Sequence, residues 1–231
     1  MTRYRSAKII LTSALAIGTC AIASPAFAQT RDHAPVDLQS APELTQDQAG
    51  RENWTYINPD AVLTKYQTVS VDPGVVYDGP DAQFDGVSDS DRAKYAAIMT
   101  DALRTEIAKS FPAPAGAPGN AIRVHFDLIG IQNTVGGVAT ATRVTPIGFG
   151  ISALKAITGR QGTLTGSVLF SVQAYDAKTG KLLFAAVRRR TPDPLDIPAT
   201  LSTTDTVKAV ARDFAVAARQ RLETMTGTPT P

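Results

Sequence analysis

The stretch that decides the fold is residues 162–187, GTLTGSVLFSVQAYDAKTGKLLFAAV. In its first half, apolar residues alternate with polar or small ones, which is the period-two pattern of a β-strand with two different faces. The polar run DAKTGK at 176–181 interrupts this pattern before LLFAAV at 182–187. Because Gly180 can adopt the positive φ that a bulged hairpin loop requires, the stretch predicts a β-hairpin.

Two segments upstream also have strand character. Residues 122–132, IRVHFDLIGIQ, alternate apolar and polar side chains, and Gly130 predicts a β-bulge where the alternation shifts. Residues 66–71, YQTVSV, are rich in β-branched and aromatic residues and end at the turn sequence Asp-Pro-Gly at 72–74. The segment 66–71 is therefore predicted as the first strand.

Two long helices are predicted from capping and spacing. Ser88 precedes two aspartates and an apolar pattern of helical period, and Pro112 ends that pattern. The last helix begins at Thr203 or Thr204, either of which could cap it, and ends at Gly227.

The order strand, helix, strand, short helix, strand, strand, helix predicts an α+β fold. We expect a mainly antiparallel sheet of about four strands with both long helices on one face. The predicted domain organisation is a signal peptide at 1–28, a flexible lead-in at 29–52, a single α+β domain at 53–226 and a loose tail at 227–231.

The leader has the three parts of a secretory signal peptide. Three basic residues precede an apolar core, and an A-x-A site places the cleavage between Ala28 and Gln29. The alternative is a lipoprotein whose cysteine, Cys20, carries lipid, although Thr19 fits that motif poorly. Cleavage after Ala28 removes the only cysteine and therefore any disulfide or thiolate site.

Charge excludes one class of partner. The full chain has a net charge of +2, but loss of the basic leader leaves 20 basic and 21 acidic residues, so a basic nucleic-acid binder is disfavoured. Residues 29–95 carry a net charge of −7 and residues 96–231 carry +6. The uneven charge indicates either two complementary halves of one fold or a basic face for an anionic lipid or polymer.

Motifs for catalysis, cofactors and metals are sparse. The only histidines are His33, in the lead-in, and His125, on a predicted strand, and they have no ligand spacing. The match to G-x-G-x-x-A at 148–153 follows a segment too polar for a buried parallel strand. We therefore predict no catalytic residue, cofactor or metal site, and keep as an alternative a hydrolase that uses His125 or scattered carboxylates.

The connection at 135–160 is long, apolar and rich in glycine, and long connections are often functional. It indicates either a short amphipathic helix packed on the second face of the sheet or a contact surface for a membrane or partner. The candidate contact residues are Phe149, Leu154, Lys155, Arg160, Arg188, Arg189 and Arg190.

Several separate blocks of the sequence occur in a characteristic order: WTYINPD at 54–60, KY at 65–66, VDP at 71–73, VTPIG at 144–148, ALKA at 153–156 with TG at 158–159, DAKTG at 176–180, AAV at 185–187 and RR at 189–190. Together these blocks resemble the uncharacterised bacterial domain-of-unknown-function family 3313. The resemblance covers most of residues 54–222 and implies an exported envelope protein, commonly a lipoprotein, of no established activity. This chain departs from the family in its cysteine context and in the small alanines of its last helix.

The interpretation we favour is an exported cell-envelope protein that acts as a non-catalytic binding or scaffolding module. The alternatives are the hydrolase and a peripheral membrane-surface binder, so the expected partner is an envelope protein or an anionic membrane surface. The expected location is the periplasm or the exterior, or an envelope membrane if Cys20 carries lipid.

Overall fold

The computed structural model of the chain describes residues 34–46, 53–84, 86–115, 119–134, 166–193, 196 and 198–228. Within these ranges the fold has seven strands and two α-helices, with short 3-10 turns at Ala41–Glu43, Leu63–Lys65 and Pro198–Thr200. The strands are β1 (Thr45–Gln46), β2 (Asn53–Ile57), β3 (Thr68–Val71), β4 (Val75–Val76), β5 (Ala121–Gln132), β6 (Ser167–Asp176) and β7 (Leu182–Arg190), and the helices are α1 (Asp89–Ile107) and α2 (Thr203–Thr226).

All seven strands belong to one mixed sheet. Its order is β1-β2-β7-β6-β5-β3, and β4 pairs with β5 beyond the end of β3. Strands β3 and β4 run parallel to β5, whereas the other neighbours are antiparallel. The predicted α+β class is confirmed, but the sheet has seven strands rather than about four, and it is mixed, with two parallel pairings beside four antiparallel ones. Helix α1 returns the chain to the same end of the sheet, as a parallel crossover requires.

The central hairpin is confirmed. Strands β6 and β7 pair antiparallel with Val172 opposite Ala186, and Gly180 in the connecting loop has a φ of 70°. The bulge predicted at Gly130 is also confirmed, because the register of β5 against β6 shifts between Leu128 and Gly130.

Both helices begin at a serine cap. The Ser88 side chain accepts a hydrogen bond from the Asp91 backbone N–H over 3.2 Å, as the sequence predicts. For α2 the cap is Ser202, which accepts from the Asp205 N–H over 3.2 Å, so the predicted caps Thr203 and Thr204 were one and two residues late. Gly227 ends α2 with a φ of 71°.

Both helices pack on one face of the sheet, which we call the helix face. Three aromatic rings form its centre: Phe214 of α2 lies 4.5 Å from Phe170 and 6.2 Å from Phe126, between ring centroids. Met99 and Leu103 of α1 are fully buried in the same layer. The prediction that both long helices cover one face is thus confirmed.

The opposite face, the outer face, is crossed by residues 34–44. Leu38 is 5% exposed and packs with Trp54, Leu169 and Val187. The structure therefore places part of the predicted lead-in on the sheet, because one leucine and a few backbone hydrogen bonds suffice to hold a short polar segment there.

Several predictions fall outside the described residues. These are the signal peptide with its cleavage site at Ala28 and Gln29, the alternative lipid site Cys20, and the short helix within 135–160. Within the described ranges, no helix combines the length and apolar composition that a bilayer crossing needs.

Candidate binding groove

An open groove lies on the helix face, beside α2 and over strands β7 and β2. Its volume is about 1020 Å³, and most of its lining side chains are apolar. Strand β7 contributes Phe184 and Ala186, and strand β2 contributes Thr55 and Ile57. Helix α2 contributes Val210, Asp213, Phe214, Ala217, Ala218, Arg221, Leu222, Met225 and Thr226.

The groove follows from the widths of the two layers. Strands lie about 4.8 Å apart, so six strand positions span about 25 Å or more. Two packed helices, each about 10 Å wide, cover about four of these positions. Helix α2 contacts β6, and α1 contacts β3, β4 and β5. The strands β7 and β2 therefore keep apolar side chains that neither helix covers, and β1 adds Thr45 and Gln46 at the edge.

Small side chains keep the groove open. Ala186 on β7 and Ala217 and Ala218 on α2 present single methyl groups where longer side chains would meet across the layer. Ile57 is consequently 47% exposed although it belongs to a paired strand. This is an apolar residue that the fold leaves available for contact.

Two arginines lie at one end of the groove, which we call the basic end. Arg188 donates hydrogen bonds to the Trp54 carbonyl over 2.7 Å and to Thr55 Oγ1 over 2.5 Å, so it is held against β2. Arg190 is exposed and lines the groove two residues further along β7. Their side chains share a face because alternate residues of a strand point the same way.

Arg189, between them, lies on the outer face. Its guanidinium donates to Ser167 Oγ over 2.9 Å and to Gln83 Oε1. The three arginines that the sequence grouped as one contact surface are thus divided between two faces of the sheet. The other candidate contact residues lie outside the described residues: Phe149, Leu154, Lys155 and Arg160.

A second, polar cleft of about 380 Å³ lies on the outer face around His125. The Nε2 atom of His125 lies 3.2 Å from Asp127 Oδ1, and the Nδ1 atom of His125 lies 3.5 Å from Asp72 Oδ2. Gln173 Nε2 donates to Asp127 Oδ2 over 2.9 Å, and Tyr175 Oη donates to Gln173 Oε1 over 2.8 Å. The hydrogen bond with Asp127 raises the pKa of His125 against the opposing effect of burial, and Asp72 adds to this increase.

The described lining of the cleft combines one proton-transfer group, His125, with four aspartates and two tyrosines. Among the described residues that line it there is no serine, threonine or cysteine. Ser171 is opposite Asp127 on the neighbouring strand, but its side chain is buried. In the part of the chain that the structure describes, no three acidic, histidine or cysteine side chains are grouped to hold a metal ion.

Asp176, a carboxylate that the sequence left without a definite role, is part of a buried structural pair. Tyr66 Oη donates to Asp176 Oδ2 over 2.7 Å, and the Lys178 and Thr179 N–H groups donate to Oδ1 over 3.0 and 2.9 Å. Burial opposes ionisation of Asp176, but hydrogen bonds from Tyr66 and Thr179 outweigh it and lower its pKa to about 2. The carboxylate thus closes the hairpin loop and joins it to residue 66.

Sequence reasoning missed the groove because it missed β2. Ile57 lies in a five-residue strand whose pairing partner is about 130 positions away in the chain. One signal was present: the apolar stripe of α2 continues to Leu222 and Met225, which is wider than a single sheet contact needs.

The solved structures that match the chain have low sequence identity to it and low TM-scores. PelC of Paraburkholderia phytofirmans, solved as a dodecamer, is 13% identical with a TM-score of 0.36, and the match covers 77% of this chain and 98% of PelC. A predicted lipoprotein of Caulobacter crescentus is 13% identical with a TM-score of 0.33, over 73% and 98% of the two chains. A DUF4136 family protein of Bacteroides thetaiotaomicron is 15% identical with a TM-score of 0.30, over 76% and 95%.

No curated protein matches the chain. The family described as protein of unknown function (DUF3313), in contrast, matches residues 38–218. This range begins at Leu38, which packs on the outer face, and includes every strand from β1 to β7 and most of α2. The match confirms the resemblance that the sequence blocks indicate, and the chain belongs to the DUF3313 family.

Proposed function

We propose that this protein is exported to the cell envelope and acts there as a non-catalytic binding protein, with the groove as the site for an elongated apolar ligand. Export is supported by the leader at 1–28 and its A-x-A site before Gln29. Cleavage there gives a periplasmic or secreted protein, whereas a lipid on Cys20 would tether the same domain to a membrane.

The observation that carries this proposal is the groove itself. Its volume of about 1020 Å³ is at the upper end of the usual range for ligand sites, which is roughly 300–1000 Å³. Soluble proteins rarely leave a contiguous apolar depression uncovered unless it meets a ligand or partner. A lining that is apolar over most of its length suits a hydrocarbon chain better than a polar metabolite.

The two alternative functions have weaker support. A hydrolase of the serine or cysteine type would need such a side chain beside His125, and the described lining of that cleft offers none. A membrane-surface binder would need a contiguous basic patch, but Arg189 lies on the opposite face of the sheet from Arg188 and Arg190. Binding within the groove does not depend on such a patch.

Chain length provides the first test. Each methylene that enters the groove contributes up to about 0.8 kcal/mol, so decan-1-ol is expected to bind about tenfold tighter than octan-1-ol. Isothermal titration calorimetry of the purified protein with both alcohols measures this ratio. The alcohols carry no charge, so the result reports on the apolar part of the site alone.

A matched pair of variants locates the binding. Ile57→Gln removes a groove side chain that is 47% exposed, and Val62→Gln removes one that is 63% exposed and does not line the groove. Burying the open half of an isoleucine contributes about 1 kcal/mol, and burying an amide instead adds a similar penalty. Decan-1-ol should therefore bind about tenfold or more weakly to Ile57→Gln and unchanged to Val62→Gln. Absence of binding, or an equal effect of both variants, would refute the proposal.

A further inference from the structure

The groove is asymmetric along its length. On β7, the side chains that face it are Arg190, Arg188, Ala186 and Phe184, in that order. The first two are cationic and the last two are apolar, and beyond Phe184 the lining continues with Leu63, Leu222 and Met225. From Arg190 to Phe184 is six residue steps, or about 20 Å of strand. A ligand that lies along the groove therefore meets two arginines at one end and mainly apolar side chains at the other.

Arg190 is the side chain best placed to recognise an anionic group. It is exposed, it lines the groove, and among the described residues no carboxylate forms an ion pair with it. The guanidinium plane has donors in a fork that matches a carboxylate with two parallel hydrogen bonds. Arg188, held by Trp54 and Thr55, places a second positive charge on the same side of β7.

The carboxylate of Asp213 also lines this side of the groove, on α2. It is one negative charge against the two positive charges of Arg188 and Arg190, and it accepts a hydrogen bond from Arg212 Nε over 3.1 Å. Arg221, two turns further along α2, also lines the groove, but it lies beside Leu222 rather than at the basic end. The charge of the groove wall is thus positive overall.

We infer that the groove binds a single-chain acyl carboxylate, with its head group at Arg190 and its hydrocarbon chain directed toward Phe184 and Leu222. This inference rests on the proposed function and adds the charge and direction of the ligand. Charge complementarity commits the site to an anionic head group, and the single line of apolar side chains from Ala186 to Leu222 accommodates the chain.

The test compares ligands that share a ten-carbon chain and differ in the head group: decanoate, decan-1-ol and decyltrimethylammonium. By calorimetry on the folded protein, we expect decanoate to bind about tenfold tighter than decan-1-ol and the ammonium to bind weakest. Arg190→Gln should bring decanoate close to the alcohol and leave the alcohol unchanged. Lys181→Gln, which removes an exposed charge from the other end of β7, should preserve the preference for decanoate.

The outcomes separate the two proposals. If none of the three ligands binds, the proposed function itself fails. If all three bind equally, or if decanoate keeps its advantage in Arg190→Gln, the groove is an apolar site and this inference is overturned. Flotation with phosphatidylglycerol vesicles tests a membrane source of the anion: vesicle binding that saturating decanoate does not displace would also overturn the inference.

Discussion

The buried pair of Tyr66 and Asp176 allows a quantitative test by double-mutant cycle. Tyr66 is 2% exposed and Asp176 is 7% exposed, and their side chains are joined by a hydrogen bond of 2.7 Å. A bond to a charged acceptor contributes about 1.5–3 kcal/mol, so Tyr66→Phe should lower the free energy of unfolding by about 2 kcal/mol. The phenylalanine ring keeps the packing, so this loss reports on the hydroxyl.

Asp176→Ala should cost more, about 3–5 kcal/mol. The substitution leaves the Tyr66 hydroxyl buried without an acceptor and also removes the carboxylate that accepts from Lys178 and Thr179 in the hairpin loop. In the Asp176→Ala background, the buried Tyr66 hydroxyl has lost its acceptor and therefore destabilises the fold. There, Tyr66→Phe is expected to cost nothing or to be slightly stabilising, which gives a coupling energy of about 2 kcal/mol.

Urea unfolding followed by the fluorescence of Trp54, the single and buried tryptophan, measures all four free energies. The reasoning is refuted if Tyr66→Phe lowers the free energy of unfolding by the same amount in both backgrounds.

The stability of the fold in acid provides a second readout. Because folding lowers the pKa of Asp176 from 3.8 to about 2, its stabilisation is complete above pH 4 and is lost as the pH falls toward 2. Asp176→Ala should lack this part of the acid sensitivity.

Two further perturbations follow from the geometry. Folding raises the pKa of His125 above its ordinary value of 6.5, so protonated His125 stabilises the fold fully below pH 6.5. This stabilisation is lost as the pH rises through the pKa of His125 in the folded protein. Thermal unfolding measured across this pH range should show the decline in the unchanged protein and not in His125→Gln. Gly130→Ala would place a Cβ 2.6 Å from Gln83 Cβ and 2.9 Å from the Gln83 carbonyl oxygen. The Cβ of Gly180→Ala would meet no atom within 4 Å, so the only cost of that variant is the strain of an alanine at a φ of 70°. Urea unfolding should show that the free energy of unfolding falls by about 3 kcal/mol in Gly130→Ala and by about 1 kcal/mol in Gly180→Ala. A larger loss in Gly180→Ala than in Gly130→Ala would contradict the structure.

The elements that could be predicted from the sequence are those with local signals. The hairpin of β6 and β7 has alternation and a loop glycine, and α1 has the cap at Ser88 followed by a regular apolar spacing. Gly130 could be read as a bulge because the alternation of β5 changes there. In each case the information lies within about ten consecutive residues.

The elements that could not be predicted depend on distant partners. Strands β1 and β4 have two residues each, too few for any period to show. Strand β2 is stabilised by β7, about 130 positions later in the chain, and by the packing of Trp54 on Val187 and on Leu38. The parallel pairing of β3 with β5 depends on the path of α1 between them rather than on the composition of either strand.

The candidate site was harder to predict than the fold. A run of three arginines has no visible division in the sequence, yet the pleat of β7 sends Arg188 and Arg190 to one face and Arg189 to the other. The groove depends on space that is left open, by alanines on α2 and by the width of two helices on a wider sheet. Open space has no residue pattern of its own.

The groove joins the early part of the described chain to its end, and this has a consequence for folding. Ile57 belongs to a strand near the start, and the opposite wall is α2, the final helix. Contacts of such long sequence separation form slowly, because a large loop must close before they stabilise the structure. During folding the groove is therefore among the last parts to form, and until then the apolar side chains of β2 and β7 are exposed to chaperones and to aggregation.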